Sequence, residues 1–517
     1  MRFFNKTGPC NPRDHYMLPP ADRLQCAQLD RYVRDKLFWV LHAPRQTGKT
    51  TFLQSWMREL NARGDVLACY VSVEVCQRAS TDDAMQIIYS ALYDAARDVG
   101  FPAPIAKKRL PQTIVYDALV RFAECAAPKP LVVLFDEVDV LEEDAMIRFL
   151  RLLRKGFTTR GVGRFPVSVA LVGMRDLRDY LTEAKDGVAP NPGSPFNIKE
   201  DSSVIGNFTR EHIAALFAQR TEETGQGITD EALAYVWDQS RGQPWIVNSL
   251  FGRATMRVLA EDDFQTVTLA HVQEAREQII QARETHLDSL NHRMSDPRVR
   301  FVMETLLSGS QSPDLLQTNA FHLCLDLGLV AMDEENAVSV SNPIYREVLS
   351  QHMTYGCQYM LPVRSEFKWQ TENGTLDMDS LLREFQKFWR RHSEVWESKS
   401  DYTEAFPHLL LMAFLQRITN GGGRIEREFA AGRGRMDLLV EYEGKSFIIE
   451  IKILHDYDPP SLVLEEGLEQ TRGYRDRMGK GIPCYLVLFD RRSEGKKAPW
   501  DERMYWKQED DVTVVGA

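Results

Sequence analysis

Residues 37–51 read L-F-W-V-L-H-A-P-R-Q-T-G-K-T-T, and this stretch decides the fold of the first part of the chain. The apolar run at 37–41 has the length and the aromatic and β-branched bias of a buried strand. Gly48-Lys49-Thr50 then opens a helical segment, F-L-Q-S-W-M-R-E-L. A strand that ends in a tight turn at a helix N-terminus presents backbone N–H groups to an anion, which favours a polyphosphate.

The turn fits the phosphate-binding P-loop pattern G-x-x-x-x-G-K-[S/T], with one departure. Lys49 supplies a positive charge for the β- and γ-phosphates of ATP, and Thr50 supplies a hydroxyl for Mg²⁺. Ala43 stands where the pattern has its first glycine, and alanine costs little there unless that residue needs a positive φ. The predicted nucleotide-binding residues of this loop are Pro44, Arg45, Gln46, Thr47, Gly48, Lys49, Thr50 and Thr51.

Composition bounds the class of protein. A chain of 517 residues, 44% hydrophobic and 26% charged, is expected to form roughly two to four ordered domains. The net charge of −11 argues against a generally basic nucleic-acid-binding surface, although a local groove stays open. The eight cysteines include no C-x-x-C pair, which indicates reduced thiols. Because the sequence has no signal-like or membrane-spanning apolar run, we expect a soluble cytoplasmic protein with no membrane partner.

A second motif follows at 131–137, where L-V-V-L-F-D-E gives an apolar strand that ends in two acids. Asp136 is placed to hold Mg²⁺, and Glu137 is placed to polarise the attacking water. Arg175 follows another predicted strand at 165–173, so it either senses the γ-phosphate or caps a helix. With further strands expected at 66–74 and 194–198 and helices between them, the pattern predicts an α/β domain with a doubly wound parallel sheet.

Residues 209–285 are helical in pattern, and Gly242-Gln243-Pro244-Trp245 begins one of these helices. Here the chain resembles the signal-transducing ATPases and their archaeal AAA-type relatives. The resemblance implies an ASCE-type P-loop core with a helical lid, and it implies that Pro244 lies beside the adenine. On residue chemistry alone, Gly-x-Pro only indicates the first turn of a helix.

Residues 297–353 read as helix, turn, helix (314–327), short strand and helix, which looks like a winged helix. Gly328, directly after the second helix, is a natural C-cap. That second helix carries no Arg or Lys, so it offers little to DNA phosphates or base edges. We therefore favour a structural or regulatory coupler over a DNA-reading element.

The last third of the chain contains a second group of candidate functional residues. Predicted helices at 379–396 and 402–419 precede three strand-like runs, and a Glu443-Gly444-Lys445 turn joins the last two. Asp437 lies on the second run, while Glu450 and Lys452 alternate on one side of the third. Acids and a lysine among isoleucines suit a site where carboxylates hold Mg²⁺ and a lysine orients water or stabilises phosphorane charge.

This region, about 378–517, resembles the PD-(D/E)xK nuclease superfamily. Gly434-Arg435-Met436-Asp437 matches the G-R-x-D form, and Gln470 with Tyr474 matches the Q-x-x-x-Y motif. The resemblance implies a restriction-endonuclease-like α/β domain with a Mg²⁺ or Mn²⁺ site. It implies catalytic roles for Asp437, Glu450, Lys452 and Gln470. A third metal-binding acid comes from the preceding helix or strand, and the sequence leaves Glu404 and Glu428 as alternatives.

Two basic clusters could meet nucleic-acid phosphates or could be solvated faces. They are Arg472/Arg475/Arg477/Lys480 and Arg491/Arg492/Lys496/Lys497.

The predicted domains are a P-loop core (1–205), a helical lid (206–290), a winged-helix-like domain (291–355), a linker (356–377) and a nuclease-like domain (378–517). The leading hypothesis is an ATPase whose nucleotide state controls a metal-dependent nuclease that acts on nucleic acid, with DNA favoured, in defence or mobile-element transactions. One alternative is a regulatory or sensor ATPase whose nuclease-like domain only binds nucleic acid or a protein partner. Another is a motor, which requires assembly into a homo-oligomeric ring.

Overall fold

The protein divides into two compact units in a computed structural model. The first unit comprises Met1–Glu284, His322–Ala337 and Ser341–Ile344, and the second comprises Thr285–Phe321, Val338–Val340 and Tyr345–Ala517. The structure describes residues 1–24, 29–101, 110–174, 199–282, 285–307, 313–333, 337–360, 376–397, 407, 410–412, 414–415, 423–431, 434–442, 444–479, 481–492 and 498–517.

A five-stranded parallel sheet forms the centre of the first unit. Its strands are β1 (Phe38–His42), β2 (Leu67–Ser72), β3 (Leu131–Asp136), β4 (Ser168–Gly173) and β5 (Lys199–Val204), in the order β2-β3-β4-β1-β5. The strand before the P-loop, β1, is thus separated from the acid-bearing strand β3 by one strand, β4. At the usual spacing of parallel strands, the two ends lie roughly 10 Å apart.

Helices cover both faces of this sheet, because alternate side chains of β1 pack into two different helix-containing cores. Phe38 and Val40 join a core with helices α3, α4 and α5, whereas Trp39 and Leu41 join a second core with helix α2. Strands buried on both faces need apolar residues at every position, which explains their uninterrupted apolar runs. The prediction of a doubly wound α/β sheet is therefore confirmed. The helices are α1 (Leu29–Arg34), α2 (Lys49–Arg63), α3 (Thr81–Asp98), α4 (Ile114–Ala126) and α5 (Glu143–Phe157).

The boundaries of two elements differ from the sequence predictions. The amphipathic stretch 24–36 predicts a helix. Its described helical part is α1, which follows a 3₁₀ turn at Pro20–Arg23; residues 25–28 lie outside the described residues. The last strand, β5, begins at Lys199, directly after the predicted segment 194–198, which lies outside the described residues.

Four helices continue the first unit after the sheet. They are α6 (Arg210–Thr224), α7 (Asp230–Ser240), α8 (Pro244–Arg253) and α9 (Leu269–Gln281), with a π-helical turn at Ala254–Val258. The hydroxyls of Thr209 and Thr229 cap α6 and α7 by accepting backbone N–H bonds from His212 and Ala232. Pro244 lies in the first turn of α8, as expected for a residue with no N–H to donate.

The segment predicted to be a winged helix contains the expected helices with altered limits. They are α11 (Pro297–Leu307), α12 (Asn319–Asp326) and α13 (Pro343–Met360), with short strands β6 (Val330–Met332) and β7 (Val338–Val340); helix α10 (Thr285–Arg293) precedes this segment. The helix predicted to begin at 314 begins only at Asn319, because the Thr318 hydroxyl accepts the Phe321 N–H as a cap does. Gly328 takes the positive φ (69°) of a C-cap.

The predicted linker, 356–377, overlaps the end of one helix at its N-terminal side and stops directly before another helix at its C-terminal side. Helix α13 continues to Met360, and helix α14 begins at Met378 after a bridge residue at Leu376. Residues 361–375 lie outside the described residues.

The last part of the second unit is a six-stranded mixed sheet in the order β12-β13-β11-β10-β9-β8. Strands β8, β9 and β10 are antiparallel neighbours, while β11 and β13 continue the sheet in parallel. The strands are β8 (Gly423–Ala431), β9 (Gly434–Tyr442), β10 (Lys445–Leu454), β11 (Cys484–Asp490), β12 (Trp506–Glu509) and β13 (Val512–Gly516). The first three are the predicted strand-like runs, and the apolar run C-Y-L-V-L-F-D at 484–490 likewise predicts β11; β12 and β13 were not predicted.

Two helices pack on opposite faces of this mixed sheet. Ile449 and Ile451 of β10 face the core that includes Phe385 of α14 (Met378–Glu397), whereas Ile448 packs with Leu468 of α15 (Pro460–Met478). A short helix α16 (Trp500–Arg503) precedes β12. In the helix predicted for 402–419, the described residues 407, 410–412 and 414–415 are helical.

We predict that Gly242→Ala unfolds the first unit more readily than Gly225→Ala. Both glycines have similar positive φ values, 76° and 80°, but a Cβ on Gly242 would lie 1.9 Å from the Phe208 carbonyl oxygen, whereas Gly225 has open space. The left-handed conformation alone costs alanine about 1–2 kcal/mol, and the overlap raises the expected loss at Gly242 to about 2–4 kcal/mol. Urea denaturation of the two variants measures this; equal losses would contradict it.

Candidate functional site

The loop after β1 closes around the Lys49 ammonium. Its Nζ donates to the carbonyl oxygens of Ala43 at 2.8 Å and Pro44 at 3.0 Å, and Thr47 Oγ1 also donates to Pro44 at 2.8 Å. The loop takes positive φ at Gln46 (58°) and Gly48 (95°), and Ala43 is not among the positive-φ residues in the described part of the chain. Alanine can therefore replace the first glycine of the motif without backbone strain.

Asp136 is fully buried and held by three donors at the end of β3. Thr50 Oγ1 donates to its Oδ2 at 2.6 Å, and the Tyr70 hydroxyl donates to the same oxygen at 3.1 Å. The Glu137 backbone N–H donates to Oδ1 at 3.0 Å. The structure thus brings together the hydroxyl and the carboxylate that the sequence analysis assigned to Mg²⁺. Tyr70, on β2, was not predicted.

Glu137 and Asp139 form an acidic pair beside Lys49. Glu137 occupies the left-handed region with φ 60°, and burial followed by repulsion from Asp139 raises the pKa of its carboxyl. Burial likewise raises the pKa of Asp139, whereas the Lys49 charge lowers it. Burial also lowers the pKa of Lys49, and the neighbouring acids, Glu137 first, oppose that shift. Asp139 lies two residues beyond the motif and was missed by the sequence analysis.

These side chains line a cavity of about 540 Å³ that is large enough for a nucleotide. The P-loop and the acids form one part of its wall, and the N-terminal segment and helix α8 form another. The predicted nucleotide-binding residues line this cavity, Pro244 included, with two exceptions. Pro44 lies in the loop that surrounds Lys49, and Arg175 lies outside the described residues. Lys49, Thr50 and Asp136 therefore fit a Mg²⁺-bound nucleoside triphosphate.

Arg23 is a buried cation in the wall of the same cavity. It was not predicted from the sequence. Its Nη1 donates to the carbonyl oxygens of Thr47 at 2.7 Å and Gly206 at 3.3 Å, and its guanidinium lies over the Phe208 ring. Burial lowers the pKa of this guanidinium to about 10. A Cβ on Gly48 would meet Arg23 Nη2 at 2.8 Å, so the glycine allows this close approach.

The N-terminal segment, residues 1–24, connects the helices after the sheet to the P-loop helix. Trp245 Nε1 donates to the Lys6 carbonyl at 3.1 Å, and Gln219 Nε2 donates to the Met17 carbonyl at 2.9 Å. The Cys10 backbone N–H donates to Thr51 Oγ1 at 3.0 Å. Residues remote in the chain thereby form one cavity wall.

A second cluster lies on β10 and α15 in the second unit. Lys452 Nζ is 3.0 Å from Glu450 Oε1 and donates to Gln470 Oε1 at 2.6 Å. Glu450 is only 2% exposed, so the ammonium offsets a buried negative charge. Helix α15 approaches closely because Gly467 has no Cβ; one there would lie 2.9 Å from Leu486 and 3.3 Å from Lys452 Cγ. Three residues predicted from two separate motifs are in direct contact.

The other predicted metal-binding acids are placed only by the backbone. Asp437 lies on β9 and Glu428 on β8. Leu438 of β9 pairs with Ile449 of β10 and with Arg427 of β8. Asp437 directly precedes Leu438 in the chain, and Glu428 directly follows Arg427. Glu404 lies outside the described residues, and the choice between Glu404 and Glu428 stays open. Within the described ranges, no three His, Cys, Asp or Glu residues form a metal-binding group.

Three arginines of the two basic clusters are paired with acids. Arg472 pairs with Asp510 at 3.0 Å and with Asp511 at 3.3 Å, and Arg475 also contacts Asp511. Arg492 pairs with Asp490 at 2.7 Å. These pairs reduce the positive charge that the two clusters could offer to phosphates.

Comparisons with known proteins agree with the geometry of the first site. Residues 32–181 match the family model described as an AAA domain. This segment is an AAA-type P-loop domain. No curated protein matches the chain. No helix in the described ranges is long and apolar enough to span a bilayer.

Several solved structures are similar to a larger part of the chain. The Walker-type ATPase PABY2304 of Pyrococcus abyssi is 13% identical with a TM-score of 0.47, over 67% of this chain and 99% of that one. Cdc6p from Pyrobaculum aerophilum is 13% identical with a TM-score of 0.36, over 64% and 93%. The Thermotoga maritima RuvB Holliday junction branch migration motor is 14% identical with a TM-score of 0.34, over 62% and 91%.

We predict that Lys452→Met destabilises the second unit and that adding Glu450→Gln restores most of the loss. The single change leaves a buried carboxylate without its ammonium, whereas the double change removes both charges. Because the Lys452 side chain is 24% exposed, we expect a loss of about 1–3 kcal/mol, below that of a fully buried pair. Thermal denaturation measures it, with Lys445→Met, an exposed lysine on the same strand, as the control. A double variant no more stable than Lys452→Met would contradict this prediction.

Proposed function

We propose that this protein is an ATPase whose nucleotide state controls a metal-dependent nuclease domain acting on nucleic acid, with DNA as the favoured substrate. The observation that carries the nuclease part is the contact of Lys452 Nζ with both Glu450 and Gln470. These residues come from a strand and a helix that are separate in sequence. A lysine held between a buried carboxylate and an amide is suited to orient water at a phosphodiester.

In the ATPase site, the residues of the P-loop domain have distinct roles. Lys49 and the loop N–H groups bind the β- and γ-phosphates, while Thr50 and Asp136 hold Mg²⁺. A bound Mg²⁺ would supply positive charge to the phosphate oxygens. Glu137 accepts a hydrogen bond from the attacking water, and its raised pKa brings its basicity closer to neutral pH. Pro244 contributes to the cavity wall on the lid side.

In the nuclease site, Asp437 and Glu450 would hold Mg²⁺ or Mn²⁺ together with a third acid, for which Glu428 is one candidate. The metal would supply Lewis-acid activation of the phosphodiester. Lys452 would position or deprotonate the attacking water, and Gln470 would fix the lysine. Burial of Glu450 beside Lys452 favours this role. Removing an ion pair from water costs free energy, and apolar residues could fill the same core without that cost.

A second candidate function is a regulatory or sensor ATPase whose nuclease-like domain binds nucleic acid or a protein partner without cutting. The acid-paired arginines Arg472, Arg475 and Arg492 favour it, because acids already neutralise these three charges, which then contribute less to binding a polyanion. It predicts ATP turnover and binding of a partner with no metal-dependent cleavage. A motor function would further require a homo-oligomer, which size measurements with and without ATP would reveal.

Cleavage assays with the full chain test the nuclease. Single- and double-stranded DNA and RNA are incubated with Mg²⁺ or Mn²⁺, with and without ATP. We expect metal-dependent cleavage of at least one substrate, reduced about 100-fold or more by Lys452→Ala and unchanged by Lys445→Ala. If no substrate is cut, or if Lys452→Ala cuts at the normal rate, the nuclease proposal fails and the regulatory alternative gains support.

The link between the two sites has its own test in the same assay. Lys49→Ala removes the cation that binds the phosphates, so any effect of ATP on cleavage should disappear while metal-dependent cleavage itself persists at a basal rate. A Lys49→Ala protein that retains the normal response to ATP would separate the ATPase from the nuclease.

The acidic pair predicts a pH effect on ATP turnover. Glu137 must be ionised to accept a proton, and the Asp139 charge raises its pKa. In Asp139→Asn that repulsion is absent, so the pKa of Glu137 falls and activity persists to lower pH than in the wild type. The acid limb of the kcat profile measures this, with Glu142→Gln, an exposed residue nearby, as the control. An acid limb that stays in place or moves to higher pH would contradict the assignment.

A further inference from the structure

Asn248 carries an unused hydrogen-bond acceptor at the wall of the nucleotide cavity. It lies on α8, one turn after Pro244, and is only 7% exposed. Its Nδ2 donates to the Pro244 carbonyl oxygen at 2.8 Å. Because that carbonyl can only accept, the amide orientation is fixed, and the other atom must be the oxygen. This Oδ1 is buried and has no partner among the described residues.

A buried amide oxygen without a donor costs free energy that a core residue of similar size would not. Most buried polar atoms are bonded, so an exception at a cavity wall points to a donor that a ligand supplies. Asn248 is one of the residues that line the cavity, together with Pro244 and Trp245 of the same helix. Ser249 of the same helix is a useful contrast, since it is also buried (1% exposed) but does not line the cavity.

The wall around Asn248 has the chemistry of a base-binding pocket. Tyr16, Phe208 and Leu216 give it aromatic and aliphatic surface, whereas the P-loop gives the rest of the cavity its N–H groups and charges. Arg23 joins the two parts, because it donates to the Thr47 carbonyl and lies over the Phe208 ring. A nucleotide whose phosphates lie in the P-loop would therefore direct its base toward this apolar wall.

We propose that Asn248 Oδ1 accepts a hydrogen bond from the 6-amino group of adenine and selects adenine nucleotides over guanine nucleotides. Guanine carries a carbonyl oxygen at that position, so two acceptors would face each other and both would stay unsatisfied. The Pro244 carbonyl oxygen positions the amide by accepting its N–H. This inference rests on the proposed nucleotide binding and names the residue that gives it specificity.

Calorimetric titration of the full chain with ADP and with purine riboside 5′-diphosphate, which has hydrogen in place of the 6-amino group, tests the proposal. We expect the wild type to bind ADP about five- to tenfold more tightly than the analogue, the range of one net hydrogen bond. Asn248→Ala should bind both with equal affinity, while Ser249→Ala should keep the preference. GDP should bind the wild type more weakly than ADP.

The outcomes separate this inference from the proposed ATPase. Equal binding of ADP and the analogue by the wild type overturns the role of Asn248 and leaves nucleotide binding intact; this comparison needs no variant to fold. A preference that survives Asn248→Ala also overturns it. A wild-type preference for ADP over 2′-deoxy-ADP that disappears in Asn248→Ala, with no effect of the 6-amino group, would assign Asn248 to the ribose and overturn the base contact. Absence of any nucleotide binding would overturn both proposals.

Discussion

The hydrogen bond of 2.6 Å between Thr50 and Asp136 is the interaction on which the first site depends. It joins the helix that begins after β1 to the end of β3, two strands that are not adjacent. Only the strand order β2-β3-β4-β1-β5 brings these ends to the same edge at the required separation. A change of topology that kept both motifs but exchanged neighbours would separate the hydroxyl from the carboxylate. The sheet order is thus a condition of the chemistry.

The cavity also depends on residues far from either motif. Phe4 packs with Tyr16, Phe217 and Phe251, which anchors the N-terminal segment on the helices after the sheet. From there the segment reaches the P-loop helix through Cys10 and Thr51. Because three separate stretches supply one wall, a nucleotide in this cavity would contact all of them. Binding would then stabilise their mutual arrangement in proportion to its affinity, which gives a physical route from nucleotide to conformation within the first unit.

The surroundings of Lys49 and Lys452 have one structural feature in common. In each, a lysine ammonium is held by oxygen atoms beside a buried strand: carbonyl oxygens for Lys49, and carboxylate and amide oxygens for Lys452. An ammonium that is already held in place would lose less entropy on binding an anion. The difference lies in the surroundings. The first site has loop N–H groups in addition, whereas the arginines near the second are paired with Asp490, Asp510 and Asp511.

The sequence by itself determined the local features of both units. The P-loop, the strand with Asp136, the turn at Glu443-Gly444-Lys445 and the alternation of Glu450 with Lys452 are set by residues within about ten positions, where periodicity and turn chemistry act. It also placed most strands and helices within a few residues. It missed β12, a charged run of four residues, and β13, which is apolar and buried but only five residues long. Which side chains from remote segments come into contact depends on the tertiary structure. Arg23 at the P-loop, Tyr70 on Asp136, the unpartnered oxygen of Asn248 and the acids that pair with Arg472 all result from packing between segments remote in the chain. Sequence spacing carries no record of such contacts, because burial and distance in the folded chain fix both the partners and the shifted pKa values.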